Sequence, residues 1–399
     1  MRGCIIRRGP KSWAIVVYLG RDPQTGKERR KWYSHPTRRE AEAHLSSLLT
    51  QIHGGGTVPT SKQRVGDYLN QWLRDYAEVK NLAPATRRNY GDILRSHLIP
   101  ALGHMPLQRL SAQGIESYLA DKRRKGLSST TIQYHFGLLH EALSHAVRKG
   151  LLVRNPCDLV DRPRREPVEI QTLDEEQVRL FLAEAKRGST HYRLYLAALL
   201  TGMRQGELLG LRWRDLDLTL GFASVQQTFY RLGKQQLFKE PKSVKSRRAV
   251  ALPPALIEEL RSLRREQSET RQLFGKGYVD HDLVFCQPNG NPLHGHNITK
   301  RDLPRVLALK GLRKELTDKG VPEDALPKGL PRIRFHDLRH CHATHLLRQG
   351  VHPKVVQERL GHSTAAFTLQ VYSHVLPGMQ EEAARVLETR LLGKTEQVT

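Results

Sequence analysis

The chain has 399 residues, 38% hydrophobic and 26% charged, which is too long for one ordinary domain and suits two or three cored ones. Lys and Arg number 65 against 40 acidic residues, a formal charge of +25, and an excess of that size points to a polyanion, with nucleic acid the natural partner. Four scattered cysteines without a CxxC pair, no run near the roughly 20 apolar residues of a membrane span, and no apolar secretory core in MRGCIIRRGPKSW argue against a disulfide scaffold, a zinc ribbon, a membrane protein and a secreted one, and imply a reducing, cytoplasmic setting.

Residues 1 to 56 read as a small unit. CIIRRG is a short strand; SWAIVVYLG alternates, with Trp13, Ile15 and Val17 on one face and Ala14, Val16 and Tyr18 on the other; DPQTGK is a turn and ERRKWYS a third strand. Thr37 and Glu40 form a capping box for a helix whose stripe of Ala41, Leu45, Leu48, Leu49 and Ile52 covers one side of the sheet. The strands and turns carry Arg7, Arg8, Lys11, Arg29, Arg30 and Lys31. A charge run is usually only a solvated face, but a basic sheet opposite a covered one has the form of a DNA-groove reader.

A glycine-rich linker at His53–Thr57 precedes a helical domain over residues 62 to 155. Val65, Tyr68, Leu69, Trp72, Leu73 and Tyr76 hold helical spacing; Pro84 opens a second helix that stops at Pro100; Ser111 caps a third, and a fourth runs to Lys149-Gly150. Arg87, Arg88, Lys122, Arg123 and Arg124 crowd the helix ends and are candidates for phosphate contact. A second linker, around Arg162–Pro167, leads to a mostly helical third domain over 168 to 377, opened by a capping box at Thr172 and Glu175. One β-rich patch extends from Ala223 through PKSVKSRRAVALP, with a hairpin near Val244–Ser246; residues 310 to 328 show no clear period. The fold class is therefore mainly α with small sheets (α+β).

The chemistry concentrates in three stretches. In LLTGMRQGELLGLRW, Arg204 opens a helix and Glu207 lies three residues on, so a carboxylate buttresses a guanidinium beside an apolar run. In PKSVKSRR, Lys242 or Lys245 is a candidate proton donor. The stretch from Pro331 to Val375 holds His336 and Arg339 in HDLRH, His362 in LGH and Tyr372 in VYSHV. Phosphodiester attack loads negative charge on the non-bridging oxygens, and two arginines, Arg204 and Arg339, can clamp them. His336 can shuttle a proton, His362 can hold a further oxygen, and a lysine can protonate the leaving 5′ oxygen. Tyr372 ionises more readily than a serine, and its phenolate is an acceptable leaving group, so a phosphotyrosine would be reversible. His336, His340, His342 and His345 lack the spacing and companions of a metal site, and His340 and His345 read as core or helix-surface residues.

The order Arg, Lys, His-x-x-Arg, His, Tyr resembles the tyrosine recombinase, or phage integrase, family of the arm-binding type, and the likeness spans essentially the whole chain. Cys341 stands where threonine is common, and PKSVKS is an atypical hairpin. The resemblance implies an arm-type DNA-binding domain (1–56), a helical SAM-like core-binding domain (62–155), a catalytic domain (168–377) and a tail helix (378–399) that docks on a neighbouring protomer. It implies a site-specific integrase of a phage or other mobile element, working without metal, ATP or other cofactor through a 3′-phosphotyrosine and a Holliday junction. Arg204, Lys242, His336, Arg339 and His362 would be the activating set, Glu207 the buttress and Tyr372 the nucleophile. The partners implied are double-stranded core and arm sites, a homotetramer on DNA, and accessory DNA-bending and excision proteins, in a bacterial cytoplasm with no membrane. The rival readings are a type IB topoisomerase, a DNA-binding regulator with a decayed site, and a chromosome dimer resolvase.

Overall fold

The computed structural model describes residues 3–9, 12–21, 28–53, 63–166, 170–233, 235–240, 247–372, 385 and 387–391. Lys11, Lys242, Lys245, the hairpin expected near Val244–Ser246 and most of the tail lie outside them. The chain divides into two compact units, residues 1–168 and 169–399. No described helix is long and apolar enough to cross a membrane.

The first unit begins with an antiparallel sheet in the order β1 (Gly3–Gly9), β2 (Ser12–Arg21), β3 (Glu28–His35), followed by α1 (Arg38–His53). Thr37 Oγ1 accepts from the Glu40 amide at 3.3 Å, one half of the expected box. Ile15, Val17 and Ala41 form the core under α1, with Trp13, Tyr33 and Leu45 packed on it. Arg7 pairs in register with Trp13, and its guanidinium lies over that ring, on the helix-covered side. The other face carries Ile6 and Trp32, both well exposed, with Arg8 over the Trp32 ring at 4.7 Å. Arg29, Arg30 and Lys31 lie on β3, and Arg30 is paired with Glu28.

The rest of the unit is helical: α2 (Val65–Val79), α3 (Pro84–Ile93), α4 (Ile99–Leu102), α5 (Ala112–Arg124) and α6 (Ser129–Arg148) around a core that includes Leu69, Trp72, Leu98, Ile115 and Leu139. The second helix does not stop at Pro100. A π turn at Leu94–Leu98 carries the chain past the proline, which lacks the amide a regular turn would need, and the helix continues to Leu102. Ser111 caps α5 by accepting from the Gly114 amide at 3.2 Å. Lys122 is buried, its ammonium over the Tyr118 ring, whereas Arg87, Arg88, Arg123 and Arg124 are exposed.

The second unit opens with α7 (Glu175–Gly188), whose capping box is Asp174 and Gln177 rather than Thr172 and Glu175: Asp174 accepts from the Gln177 amide at 2.8 Å, and Gln177 accepts from the Asp174 amide at 3.2 Å. α8 (Tyr192–Thr201) and the short α9 (Gln205–Leu209) follow. β4 (Leu216–Asp217), β5 (Phe222–Ser224) and β8 (Ala249–Ala251) make one small sheet, and β6 (Thr228–Leu232) and β7 (Gln235–Lys239) a separate hairpin, upstream of the one expected. α10 (Pro254–Phe274) is followed by α11 (Gly295–Asn297) and α12 (Leu303–Leu307), linked by a π turn.

The stretch without a sequence period contains α13 (Lys310–Asp318). Its start is fixed from outside the segment. The buried Glu184 of α7 accepts from the amides of Gly311 and Leu312 at 2.9 and 2.6 Å, completing orphan donors of the first turn. α14 (Phe335–Arg348), α15 (Pro353–Leu360) and α16 (Ala365–Tyr372) follow.

Candidate active site

α8 ends at Gly202, whose φ of +65° is the left-handed turn that favours glycine. A Cβ there would meet His342 at 2.6 Å and Leu360 at 2.8 Å, so the turn seats α8 directly against α14 and α15. Two residues on, Arg204 caps α9. Its amide donates to Glu207 Oε2 at 2.8 Å, and its guanidinium donates to Oε1 at 2.7 Å. The expected Arg–Glu pair is thus both a cap and an ion pair, with Glu207 buried and Arg204 39% exposed at its side chain.

A second arginine, not singled out from the sequence, holds the same carboxylate. Arg248, just before β8, donates to Glu207 Oε1 and Oε2 at 3.1 and 2.8 Å and to the Arg359 carbonyl at 2.6 Å. Burial raises the Glu207 pKa, but the hydrogen bonds and charge of Arg248, with those of Arg204, outweigh it and bring the group down to about 2. Gly361, at φ +65°, passes over Arg248: a Cβ there would sit 3.1–3.3 Å from its Cδ, Nη1 and Nε.

α14 presents His336, Arg339 and His340 at helical spacing, on one side of the helix. Arg339 is 2% exposed and donates to the Gly202 carbonyl at 2.8 Å and the Leu360 carbonyl at 2.6 Å. Arg204 donates to the neighbouring Gly361 carbonyl at 3.5 Å. Two arginines 135 positions apart, 339 less 204, therefore converge on consecutive peptide groups. Burial, then the positive charge of Arg204, lowers the Arg339 pKa to about 9, so the group stays charged at neutral pH. Burial, followed by the charge of Arg339, also lowers His336.

His362 follows the Gly361 turn. Its Nδ1 lies 2.9 Å from Thr368 Oγ1, and its carbonyl accepts from Gln357 Nε2 at 2.5 Å. Burial, then Arg339 and Arg204, pulls it down to about 3, so the ring is neutral. α16 ends on Tyr372, whose side chain is 0% exposed and packs with Ala343, Leu347, Val356 and Leu360. Its hydroxyl lies 2.7 Å from His340 Nδ1. Burial raises the phenol to about 12, while the charge of Arg339 opposes the rise.

The structure thus brings Arg204, Glu207, His336, Arg339, His362 and Tyr372 together. His340, read from the sequence as a core or surface residue, is the partner of the Tyr372 hydroxyl. Its place one turn after His336, on the Arg339 side, was the available signal. Arg248 gave none beyond a basic run. His345 does serve packing, with Nε2 2.9 Å from the Leu173 carbonyl. Cys341 is buried, and its sulfur accepts from the Leu173 amide at 3.2 Å. Among the described residues no cluster of three or more His, Cys, Asp or Glu could hold a metal.

A helical unit carrying two convergent arginines, neutral imidazoles and a terminal tyrosine defines the class of tyrosine-dependent DNA recombinases. Comparison with known proteins fixes the family. Residues 171–379, a little over half of the chain, match the phage integrase family, with an arm DNA-binding domain at 5–52 and phage integrase SAM-like domains at 65–123 and 107–161. A tyrosine recombinase XerC-like protein of Caldanaerobacter subterraneus subsp. tengcongensis is 30% identical over 96% of this chain and 97% of its own. The fold is similar to that of the Tn1549 transposon integrase in complex with a circular intermediate DNA, with a TM-score of 0.65 and 21% identity over 82% of this chain and 99% of that one. It is also similar to a lambda integrase tetramer bound to a Holliday junction, with a TM-score of 0.57 and 17% identity over 92% and 94%. The chain belongs to the phage integrase family and is a site-specific recombinase of a mobile element.

Proposed function

We propose that Tyr372 cuts DNA by attacking a backbone phosphate held by Arg204 and Arg339, leaving a 3′-phosphotyrosine that a second strand resolves through a Holliday junction. The observation that carries this reading is the convergence of the two guanidinium groups on the Leu360–Gly361 peptides, with the Tyr372 phenol within reach of the Arg339 charge. Fixed positive charge at that point is suited to the charge that develops on the phosphate oxygens. His336 and His362 are neutral donors or acceptors around the same phosphate, Glu207 orients Arg204, and Lys242 or Lys245 protonates the leaving 5′ oxygen. Since the Tyr372 hydroxyl is buried, DNA engagement must open α16 enough to admit the phosphate.

The domain roles belong to the same proposal. The open sheet face, with Arg8 stacked on Trp32 and Arg30 on β3, reads arm sites, with Arg7 at the covered side; Lys11, Arg29 and Lys31 are proposed to add to the same DNA contact. Arg87, Arg88, Arg123 and Arg124 contact core-site phosphates, whereas Lys122, buried over the Tyr118 ring, does not join them. The lambda integrase structure, a tetramer on a Holliday junction, supports a homotetramer on paired DNA sites; DNA-bending and excision proteins as helpers are a further part of the proposal. Leu387 and Leu391 of the tail are well exposed, which suits docking on a neighbour.

The test is a suicide duplex, nicked so that the cut end diffuses away, built from the junction at which the element is inserted. The wild-type chain should form a protein–DNA adduct stable to detergent, and Tyr372→Phe should bind equally in a gel shift and form none. An adduct retained by the variant overturns the assignment.

A further inference from the structure

The hydroxyl of Tyr372 has one hydrogen-bond partner among the described residues, His340 Nδ1 at 2.7 Å. The rings lie 5.6 Å apart, and His340 in turn meets His336 edge to face with centroids 5.1 Å apart. Ala343, Leu347, Val356 and Leu360 grip the body of the tyrosine ring, but they are apolar and cannot set the direction of its O–H. A buried hydroxyl without an acceptor is costly, so His340 both satisfies the phenol and orients it. Burial, then the neighbouring His336, lowers the His340 pKa to about 4, leaving a neutral ring with one nitrogen free to accept.

Resting on the reading of Tyr372 as nucleophile, we propose that His340 is the positioning residue for that phenol and the first acceptor of its proton. As the Tyr372 Oη–P bond forms and the P–O5′ bond breaks, the phenolic proton passes to His340 Nδ1 and the O5′ takes a proton from the lysine donor. In resealing, the 5′ hydroxyl returns its proton to the lysine amine as the O5′–P bond re-forms, the Oη–P bond breaks, and the imidazolium returns its proton to the phenolate. The imidazolium is disfavoured by His336 and Arg339 on α14 and by Arg334 at its cap, and favoured by Asp337; His362, in the turn after α15, is neutral. A phosphate charge entering beside Arg339 offsets that repulsion, so proton transfer is coupled to DNA occupancy.

The experiment uses the full chain at saturating concentration on the suicide duplex, comparing His340→Ala and His340→Asn with the wild type and Tyr372→Phe. An asparagine amide oxygen reaches the place of Nδ1 and accepts the phenol hydrogen bond but takes no proton. His340→Ala is expected to slow adduct formation about 10²-fold and His340→Asn about 10-fold, with gel-shift affinity unchanged in both. If His340→Ala does not fold, the asparagine variant decides alone. Asparagine at the wild-type rate, or equal slowing in two variants that melt like the wild type, overturns the role. Absence of any adduct from the wild-type chain overturns the Tyr372 reading itself, which separates the two failures.

Discussion

Arg248 closes over both carboxylate oxygens of Glu207, at 3.1 and 2.8 Å, with side-chain exposures of only 7% and 3%. The same guanidinium holds the Arg359 carbonyl. It therefore ties the start of β8 to α9 and to the end of α15. Removing one partner of a buried ion pair costs about 3–5 kcal/mol, because the other charge stays buried. Arg204 still serves Glu207, so Arg248→Gln should lower the unfolding free energy by about 3 kcal/mol, read by urea denaturation. Adduct formation should fall more than DNA affinity, and Arg248→Lys should lie between. Arg248→Gln with wild-type unfolding would show the pair to be inert.

Glu207 also sets a pH dependence. Its folded pKa of about 2 lies below the ordinary 4.5, so the native state favours the charged carboxylate. That stabilisation, on the order of 3 kcal/mol, is complete above the unfolded value and is lost as pH falls from 4.5 towards 2. Unfolding curves taken at successive pH values should show a shallower acid slope for Glu207→Gln than for the wild type. Parallel slopes would contradict the assignment.

The two arginines proposed to clamp the phosphate should separate by burial. Loss of either should slow adduct formation by roughly 10²–10³, by analogy with other donors to a developing oxyanion. Arg204→Ala removes a side chain that is 39% exposed, and the protein should keep most of its stability. Arg339→Ala strips the Gly202 and Leu360 carbonyls of their donors and should also lower the melting temperature. Thermal denaturation beside single-turnover cleavage distinguishes them; equal melting temperatures would refute the contrast.

Glu184→Ala should do the opposite of Arg204→Ala. It leaves the amides of Gly311 and Leu312 without a cap, a loss of about 1–2 kcal/mol. Cleavage well below the melting temperature should be unchanged. A variant that melts like the wild type would remove Glu184 from the role of α13 cap.

How much of this was legible in the sequence depends on how far apart the partners lie. The Arg204–Glu207 pair is local, three residues within one cap, and could be read directly. So could the three N-terminal strands and the histidine, arginine and tyrosine of the last boxes. Arg248 could not, since its partner lies 41 positions away and nothing in SRRAV distinguishes it from its neighbour Arg247. α13 was invisible for the same reason: its cap comes from Glu184, 127 positions upstream, and Leu309 enters it at φ +52°, a conformation that sequence propensity would assign to glycine or asparagine. Lys122 looked like its exposed neighbours because a charge run does not reveal which member turns inward onto a tyrosine.

Arg339 donates both ends of its fork to peptide oxygens, and so braces α8 against α15 with the same group proposed to hold the phosphate. Genetic screens for inactive alleles will therefore return this position in two guises, dead chemistry and poor accumulation in the cell, and abundance must be measured before either is named. On the proposed role a phosphate competes with those carbonyls for the fork, which makes the joint between Gly202 and Leu360 the place to seek a change in amide exchange on adding DNA.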